Sequence, residues 1–271
     1  MPIMKEPSRF LKPVVELAIE AGRLIMEVYE TDFRVGAKDD SSPLTAADLA
    51  SHHCLAEGLH AIHGYPLLSE ESADTSHEER STWETYWLID PLDGTKEFIK
   101  RNGEFTVNVA LIHQNKPVLG VVYAPVLETC YFASEGCGAF KQAGEGEPTQ
   151  IYARRHCPHP PVVVGSRSHV TPELGTYLYR MGEHELKSIG SSLKFCLVAE
   201  GAADLYPRIG LTSEWDTAAA QCVVEAAGGH VVTLRGEPLR YNLKSTLLNP
   251  YFLVYGDGGR RWTDHAFDIP G

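Results

Sequence analysis

The sequence lacks several features that would assign it to whole classes of protein. It has no apolar run long enough to span a membrane, and its N-terminal segment has neither the apolar stretch nor the small-residue cleavage site of a signal peptide. Its six cysteines include no Cys-x-x-Cys pair; they occupy positions 54, 130, 137, 157, 196 and 222. Isolated cysteines of this kind predict reduced thiols in a cytoplasmic protein, most of them serving as small buried hydrophobic side chains.

Basic residues are also scarce. The chain of 271 residues has 24 Lys and Arg against 36 Asp and Glu, which gives a formal net charge of -12. Such an excess repels nucleic-acid backbones and anionic membrane surfaces, so we expect neither as a bulk partner. An anionic ligand would need local neutralisation by a few basic groups, by helix N-termini or by metal ions. The 43% of hydrophobic and 22% of charged residues are typical of a packed globular protein.

The hydrophobic pattern divides the chain into two parts. Residues 1–155 predict helices over 10–29 and 45–63, a short strand before Glu70, a buried strand YWLID and an antiparallel meander that begins at Phe105. Residues 143–161 are rich in Gly, Glu, Pro and Arg, and we place a domain boundary near residue 156. From 156 to 271, strands and helices alternate, which predicts largely parallel pairing. We therefore expect an N-terminal α+β domain and a C-terminal α/β domain that share one cleft.

The most informative motif is Asp90-Pro-Leu-Asp-Gly-Thr, which follows the apolar run YWLI. Asp90 comes at the carboxyl end of a predicted strand, where ligands collect in α/β proteins. Pro91 and Gly94 favour a tight turn that returns Asp93 to the side of Asp90. Two adjacent carboxylates repel each other unless a cation such as Mg²⁺ neutralises them, and the N–H groups of Gly94 and Thr95 could hold a phosphate. Taken alone, an ordinary Asp-Gly turn explains the motif at least as well.

Two further acids occur where they could reach the same cleft. Glu70 ends another predicted strand, although with Glu71 it could equally belong to a solvated acidic loop. Asp216 precedes a helical run in SEWDTAAAQ, where it could be a plain N-cap, but the neighbouring Trp and three alanines indicate a helix end that packs closely. With Asp90 and Asp93, these acids would form a site for two or three metal ions that hydrolyses phosphate esters.

Motifs along the whole chain resemble those of the inositol monophosphatase superfamily of Mg²⁺-dependent, lithium-sensitive phosphatases. The matching segments are PLTAAD (43–48), LLSEES (67–72), WLIDPLDGTKEFI (87–99), VGSRSH (164–169), GSSLKFCLVAEGAADLYPR (190–208) and EWDTAA (214–219). Within the superfamily, DGTKEF and the segment at 190–208 are most similar to the CysQ-type 3′(2′),5′-bisphosphate nucleotidases. The resemblance implies a layered αβαβα sandwich of the inositol monophosphatase and fructose-1,6-bisphosphatase type, within the α+β or α/β class.

The resemblance also implies roles for individual residues. Glu70, Asp90 and the carbonyl of Leu92 would hold one Mg²⁺, Asp90, Asp93 and Asp216 a second, and Glu70 would lie near a third, weaker ion. Thr95 paired with Asp48 would orient and deprotonate the attacking water for in-line hydrolysis without a covalent phosphoenzyme; alternatively, Asp48 forms a near capping box with Thr45. Substrate contacts at the reacting phosphate are expected from Glu70, Leu92, Asp93, Gly94, Thr95 and Asp216.

Specificity is expected to come from the second domain. The resemblance implies that Ser166, His169, Ser191 and Lys194 line the nucleotide side of the cleft. Lys194 would bind the phosphate that is not cleaved, because a substrate with two phosphates needs a cation besides the metal ions. The alternatives are a solvated helix lysine for Lys194 and a polar surface group for His169.

These expectations predict a Mg²⁺-dependent phosphatase that converts 3′-phosphoadenosine 5′-phosphate to AMP and phosphate, with 3′-phosphoadenylyl sulfate as a second candidate substrate, in sulfur assimilation or nucleotide detoxification. An inositol or sugar monophosphatase on the same scaffold is the main alternative. We expect a monomer or homodimer in the cytoplasm; peripheral association with the inner face of the membrane, as for some relatives, has no basic amphipathic helix to support it.

Other classes of function have less support. A non-catalytic protein that senses a phosphorylated metabolite would have lost some of the metal-binding or water-activating groups, and all of them are present. A glycosidase needs more space between its two carboxylates than Asp-x-x-Asp provides. The four histidines of the second predicted helix, at 52, 53, 60 and 63, lack acidic or thiol partners for zinc and are expected to be solvated or packed.

Overall fold

The computed structural model describes residues 7–31, 43–166 and 171–269. Its elements stack in five layers: a pair of helices, a seven-stranded sheet, a second pair of helices, a five-stranded sheet and an outer helix. This is the αβαβα arrangement predicted from the sequence. No helix among the described residues is long and apolar enough to cross a membrane.

The first layer consists of two long helices near the N-terminus, which cover one face of the first sheet. After a 3-10 turn at Pro7–Phe10, helix α1 spans Leu11–Tyr29 and helix α2 spans Pro43–Ile62. The predicted bounds of 10–29 and 45–63 agree with these to within two residues. Buried side chains of α1, such as Val14 and Ile25, pack with Leu55 of α2 on one face of the first sheet.

The first sheet has the strand order of the sequence, β1 to β7. Its strands are β1 (Leu67–Ser69), β2 (Thr85–Asp93), β3 (Thr106–His113), β4 (Lys116–Ala124), β5 (Thr129–Ser134), β6 (Gly138–Ala143) and β7 (Thr149–Ile151). Strands β1 and β2 are parallel, and every later pair is antiparallel. The predicted meander is therefore confirmed, and β7 extends it by one strand that the sequence analysis did not predict.

Short helices lie in the connections between strands of the first sheet. Helix α3 spans His77–Arg80, and helix α4 spans Thr95–Ile99 directly after β2. The 3-10 turns lie at Glu70–Ser72 and Pro125–Leu127. The turn at Glu70 and helix α4 both follow the carboxyl ends of the parallel pair β1 and β2, which brings their first residues to one edge of the sheet.

The second sheet is mixed, with the order β11-β12-β10-β8-β9. Its strands are β8 (Val162–Ser166), β9 (Glu185–Ile189), β10 (Leu205–Arg208), β11 (His230–Thr233) and β12 (Phe252–Tyr255). Strand β8 pairs in parallel with β9 and β10, whereas β12 pairs antiparallel with β10 and β11. The expectation of largely parallel pairing was wrong for β11 and β12, because the long segment after β11 returns the chain in the opposite direction.

The two sheets enclose a helical layer made of α6 (Leu193–Ala199) and α7 (Ala218–Ala226). Helix α7 packs so closely on β4 that a Cβ at Gly120 would lie 2.1 Å from the carbonyl oxygen of Ala219. On the outer side of the second sheet, α5 (Pro172–Met181) and the 3-10 turn Trp262–Ala266 cover Val163, Leu205 and Leu253. The predicted domain boundary near 156 lies between β7 and β8 and stays a prediction.

Candidate active site

The acids of the Asp90-Pro-Leu-Asp motif lie at the end of β2. The strand continues through the motif to Asp93, with an irregularity in its register opposite β3 between Asp90 and Asp93. The expected tight turn is therefore wrong in detail, because a bulged strand brings the two side chains together. Asp90 is 1% exposed, and its Oδ1 accepts a hydrogen bond of 3.1 Å from the backbone N–H of Leu92.

Gly94 ends the strand and starts helix α4. Its φ of +101° is in the left-handed region, and a Cβ there would lie 3.1 Å from the carbonyl oxygen of Glu104 and 3.2 Å from Cα of Phe105. Only glycine fits this position without strain. The sharp change of direction places Thr95, the first residue of α4, beside Asp93 on the wall of the cleft.

Asp216 joins the two acids from the second half of the chain. One carboxylate oxygen from each of Asp90, Asp93 and Asp216 lies within 4.8 Å of those of the other two. Asp216 precedes α7 without being its N-cap, which is Thr217, and its Oδ2 accepts a hydrogen bond of 2.8 Å from the N–H of Ser213. The sequence prediction that these three acids meet is confirmed.

Glu70 and Asp48 extend the acidic cluster toward solvent. Glu70 lies close to Asp90 and Asp93, and Asp48 lies close to Glu71 and Glu70, so these carboxylates repel one another. The Oδ1 atom of Asp48 is buried and has no hydrogen-bond partner among the described residues. A contact between Asp48 and Thr95 stays a prediction.

Mutual repulsion and burial raise the pKa values of these acids. Burial, followed by the charges of Asp93 and Glu70, raises the pKa of Asp90 well above its ordinary range. Burial and Asp93 raise the pKa of Asp216 to about 7. Burial and the charges of Glu71 and Glu70 raise that of Asp48 to about 8, and burial raises that of Glu70. A divalent cation would remove this cost, and the oxygen donors present are those that Mg²⁺ prefers, so the residues fit such an ion.

The same cleft also carries positive charge. The cleft has a volume of about 300 Å³ and is lined by Lys194, Tyr206 and Arg208 besides the acids. Lys194 is 6% exposed, its Nζ donates to the carbonyl oxygen of Ser191, and it lies 5.5 Å from the ring centre of Tyr206. Burial lowers the pKa of Lys194 to about 8, although Asp93 opposes this shift. A buried lysine of this kind favours an anionic ligand.

Most of the residues that sequence reasoning assigned to the site line this one cleft. They are Glu70, Asp90, Leu92, Asp93, Gly94, Thr95, Ser166, Ser191, Lys194 and Asp216. Asp48 is not among the residues that line the cleft, but it lies close to Glu70 and Glu71. His169 lies outside the described residues. The roles of all these residues stay predictions.

Sequence reasoning missed four residues that contact the site. Arg208 lines the cleft, and its buried Nε has no hydrogen-bond partner among the described residues. Ser192, Thr106 and Asn108 are buried polar groups that hydrogen-bond around Asp93. Alternation along FTVNVALI could have found Thr106 and Asn108, because they interrupt one face of an otherwise apolar buried strand.

Comparison with known proteins places the chain in one family. The model of the "Inositol monophosphatase family" matches residues 6–258. The chain is 53% identical over 247 residues to "3′(2′),5′-bisphosphate nucleotidase CysQ" of Salmonella typhimurium, covering 90% of this chain and 98% of the relative. The protein of the same name from Escherichia coli K12 is 52% identical with the same coverage.

A solved structure agrees with these relatives. CysQ from Bacteroides thetaiotaomicron, described as "a bacterial member of the inositol monophosphatase family", superposes with a TM-score of 0.84 at 44% identity. The match covers 92% of this chain and 97% of the other. Fold and sequence similarity therefore extend over most of the chain, including both sheets.

Proposed function

The chain belongs to the inositol monophosphatase family, and from this premise we propose that it is a 3′(2′),5′-bisphosphate nucleotidase. The reaction is the hydrolysis of the 3′-phosphate of 3′-phosphoadenosine 5′-phosphate to AMP and inorganic phosphate. The observation that carries the proposal is the meeting of Asp90, Asp93 and Asp216 in a cleft that Lys194 and Arg208 also line. Such a cleft suits a substrate with two phosphates, one at the acids and one at the cations.

We propose that the acids hold Mg²⁺, in two or three ions. Glu70, Asp90 and the carbonyl of Leu92 would hold one, and Asp90, Asp93 and Asp216 another. When bound, Mg²⁺ lowers the pKa of a water molecule, offsets charge on the phosphoryl oxygens and stabilises the leaving alkoxide. The charge of -12 then presents no obstacle to an anionic substrate, because the neutralisation is local.

The chain's own groups bind the phosphate and move the proton. The N–H groups of Gly94 and Thr95 would donate to the oxygens of the reacting phosphate. The hydroxyl of Thr95 would hold the attacking water, and Asp48 would take up its proton. Burial, together with the charges of Glu71 and Glu70, raises the pKa of Asp48 to about 8, so its carboxylate binds a proton more tightly than an ordinary aspartate does.

Lys194 and Arg208 would bind the phosphate that stays on the nucleotide. Both residues are in the second half of the chain and line the cleft, and Lys194 is buried. Ser166 and Ser191 line the same cleft and would contact the nucleoside. We place the reaction in the cytoplasm and include 3′-phosphoadenylyl sulfate as a second substrate, since it has the same 3′-phosphate.

The test is phosphate release with and without Mg²⁺ from 3′-phosphoadenosine 5′-phosphate and, in parallel, from inositol 1-phosphate, with Asp90→Asn as control. The expected result is Mg²⁺-dependent release that strongly prefers the nucleotide and is lost in the variant. Preference for inositol 1-phosphate would overturn the substrate assignment and keep the metal chemistry. Release from neither substrate would overturn both.

A further inference from the structure

Ser192 lies between two of the acids that come from different halves of the chain. It is 2% exposed and is the residue before α6. Its backbone N–H donates to Oδ2 of Asp93 at 2.7 Å, and its Oγ lies 2.9 Å from the same oxygen. The Oγ also lies 2.9 Å from the backbone carbonyl oxygen of Asp216. One side chain therefore connects the end of β2 with the segment that leads into α7.

Two buried polar groups of β3 support this contact. The amide of Asn108 donates to Oγ of Ser192 at 3.0 Å and approaches Oδ2 of Asp93 at 3.4 Å. The hydroxyl of Thr106 lies 3.1 Å from Oδ1 of Asn108 and 3.4 Å from Oδ2 of Asp93. Both residues are at most 1% exposed, so none of these bonds competes with bulk water.

The pattern of these bonds determines how the Asp93 carboxylate is presented. They converge on Oδ2, so the other carboxylate oxygen is the one available as a metal ligand. The Ser192 hydroxyl has a single proton, which it gives either to Asp93 or to the Asp216 carbonyl while it accepts from Asn108. In both arrangements the backbone N–H of Ser192 stays on Asp93, so when the hydroxyl donates to the Asp216 carbonyl oxygen the residue joins the two acids.

We propose that Ser192, held by Asn108, is a positioning residue that aligns Asp93 with Asp216 and thereby sets the affinity of the acidic cluster for a divalent cation. This inference rests on the proposed function, because it requires the cluster to be a metal centre. Outer partners that orient metal ligands commonly change metal affinity by about 10- to 100-fold when they are removed. Ser192 acts through the ligands, since the hydrogen bonds of its N–H and its hydroxyl go to Asp93, Asn108 and the Asp216 backbone.

The experiment measures Mn²⁺ binding to metal-free protein by the electron paramagnetic resonance of free Mn²⁺, with calorimetry as a second readout. Mn²⁺ stands in for Mg²⁺ because both take oxygen ligands. Ser192→Ala should raise the Kd for Mn²⁺ by about tenfold or more. The matched control is Ser134→Ala, which removes another fully buried serine hydroxyl, one without a hydrogen-bond partner among the described residues. It should leave the Kd unchanged.

Asn108→Ala is the second variant and carries the test if Ser192→Ala does not fold. It should also weaken Mn²⁺ binding, and the double variant should weaken it by less than the product of the two effects, because both act on one contact. A lower melting temperature with an unchanged Kd would show a merely structural role and overturn the inference. Failure of the unmodified protein to bind Mn²⁺ would instead overturn the proposed function, and the inference with it.

Discussion

The carboxylates of Glu214, which is buried, and Asp216, which is partly buried, lie two residues apart in the chain and have opposite surroundings. Glu214 is 0% exposed; its Oε1 accepts from Nζ of Lys244 at 2.8 Å and its Oε2 from the backbone N–H of Asn242 at 2.8 Å. Arg80 adds a second positive charge close by. Asp216 instead faces Asp93, with Glu70 nearby, and its pKa rises to about 7.

The difference separates a charge that the protein pairs with its own groups from a cluster of like charges. Burial raises the pKa of Glu214, but Lys244, Asn242 and Arg80 all oppose the shift, so the protein itself pairs this charge. Burial, followed by the charges of neighbouring acids, raises the pKa values of Asp90 and Asp216, and at Asp216 the N–H of Ser213 and the charge of Arg208 oppose the shift without cancelling it. An arrangement of this kind persists where a bound cation supplies the missing charge.

The largest effect on activity is expected when the cluster of Asp90, Asp93 and Asp216 loses one acid. Asp90→Asn removes a metal-coordinating charge and should lower kcat by about 10³-fold or more, since such an ion contributes several kcal/mol. The metal-free variant should be at least as stable as the unmodified protein, because one repulsive charge is gone while Oδ1 can still accept from Leu92. Kinetics and thermal unfolding of metal-free protein check both parts; a clearly destabilised variant would contradict this account.

The paired carboxylate should respond in the opposite way. Glu214→Gln leaves Lys244 without its ion-pair partner and should lower the free energy of unfolding by about 3 kcal/mol or less, because Lys244 is one-third exposed. Urea unfolding measures this loss. The variant should keep its Mg²⁺ requirement and most of its kcat at a temperature where it is folded. Loss of Mg²⁺ dependence with unchanged stability would contradict the distinction between the two carboxylates.

Lys194, which lines the cleft, and Lys244, which pairs with Glu214, differ in a similar way. Lys194→Met should raise KM for 3′-phosphoadenosine 5′-phosphate by about 10- to 100-fold, the range of a hydrogen bond to a charged group. It should leave KM for 3′-AMP unchanged, because that substrate lacks the second phosphate. Lys244→Met, the matched control, should lower stability and leave both KM values as they are. Equal increases for the two substrates in Lys194→Met would make Lys194 a structural residue.

The smallest effect is a pH dependence of stability. Because the pKa of Asp216 in the folded protein is about 7, above its value of about 4 in an unfolded chain, the folded state binds more protons between these values. Metal-free protein should therefore be most stable at acidic pH and lose stability as the pH rises through about 7. Saturating Mg²⁺ should abolish this loss. Melting temperatures at about pH 6 and about pH 8 test it; the same slope with and without Mg²⁺ would refute it.

The sequence predicted the parts of the site that are local in the chain. Asp90 and Asp93 come together through four consecutive residues, and the left-handed Gly94 fixes the direction of α4, so their neighbourhood follows from local chemistry. The layered fold followed from helical and strand periodicity together with the family resemblance.

The contacts that the sequence did not predict are long-range. Ser192 meets Asp93 across 99 residues, and Arg80 meets Asn242 across 162. Nothing within either short segment specifies its partner, because such pairs form only when both sheets pack on the helical layer of α6 and α7. The antiparallel return of β12 was unpredicted for the same reason.

The most direct test of the central claim compares the gain in melting temperature that saturating Mg²⁺ gives to three metal-free proteins: the unmodified chain, Asp90→Asn and Glu214→Gln. The account predicts equal gains for the unmodified chain and Glu214→Gln, whatever their starting stabilities, and little or none for Asp90→Asn, since only the unpaired acids bind the ion. An undiminished gain in Asp90→Asn would contradict it, because Mg²⁺ would then bind outside the cluster of Asp90, Asp93 and Asp216.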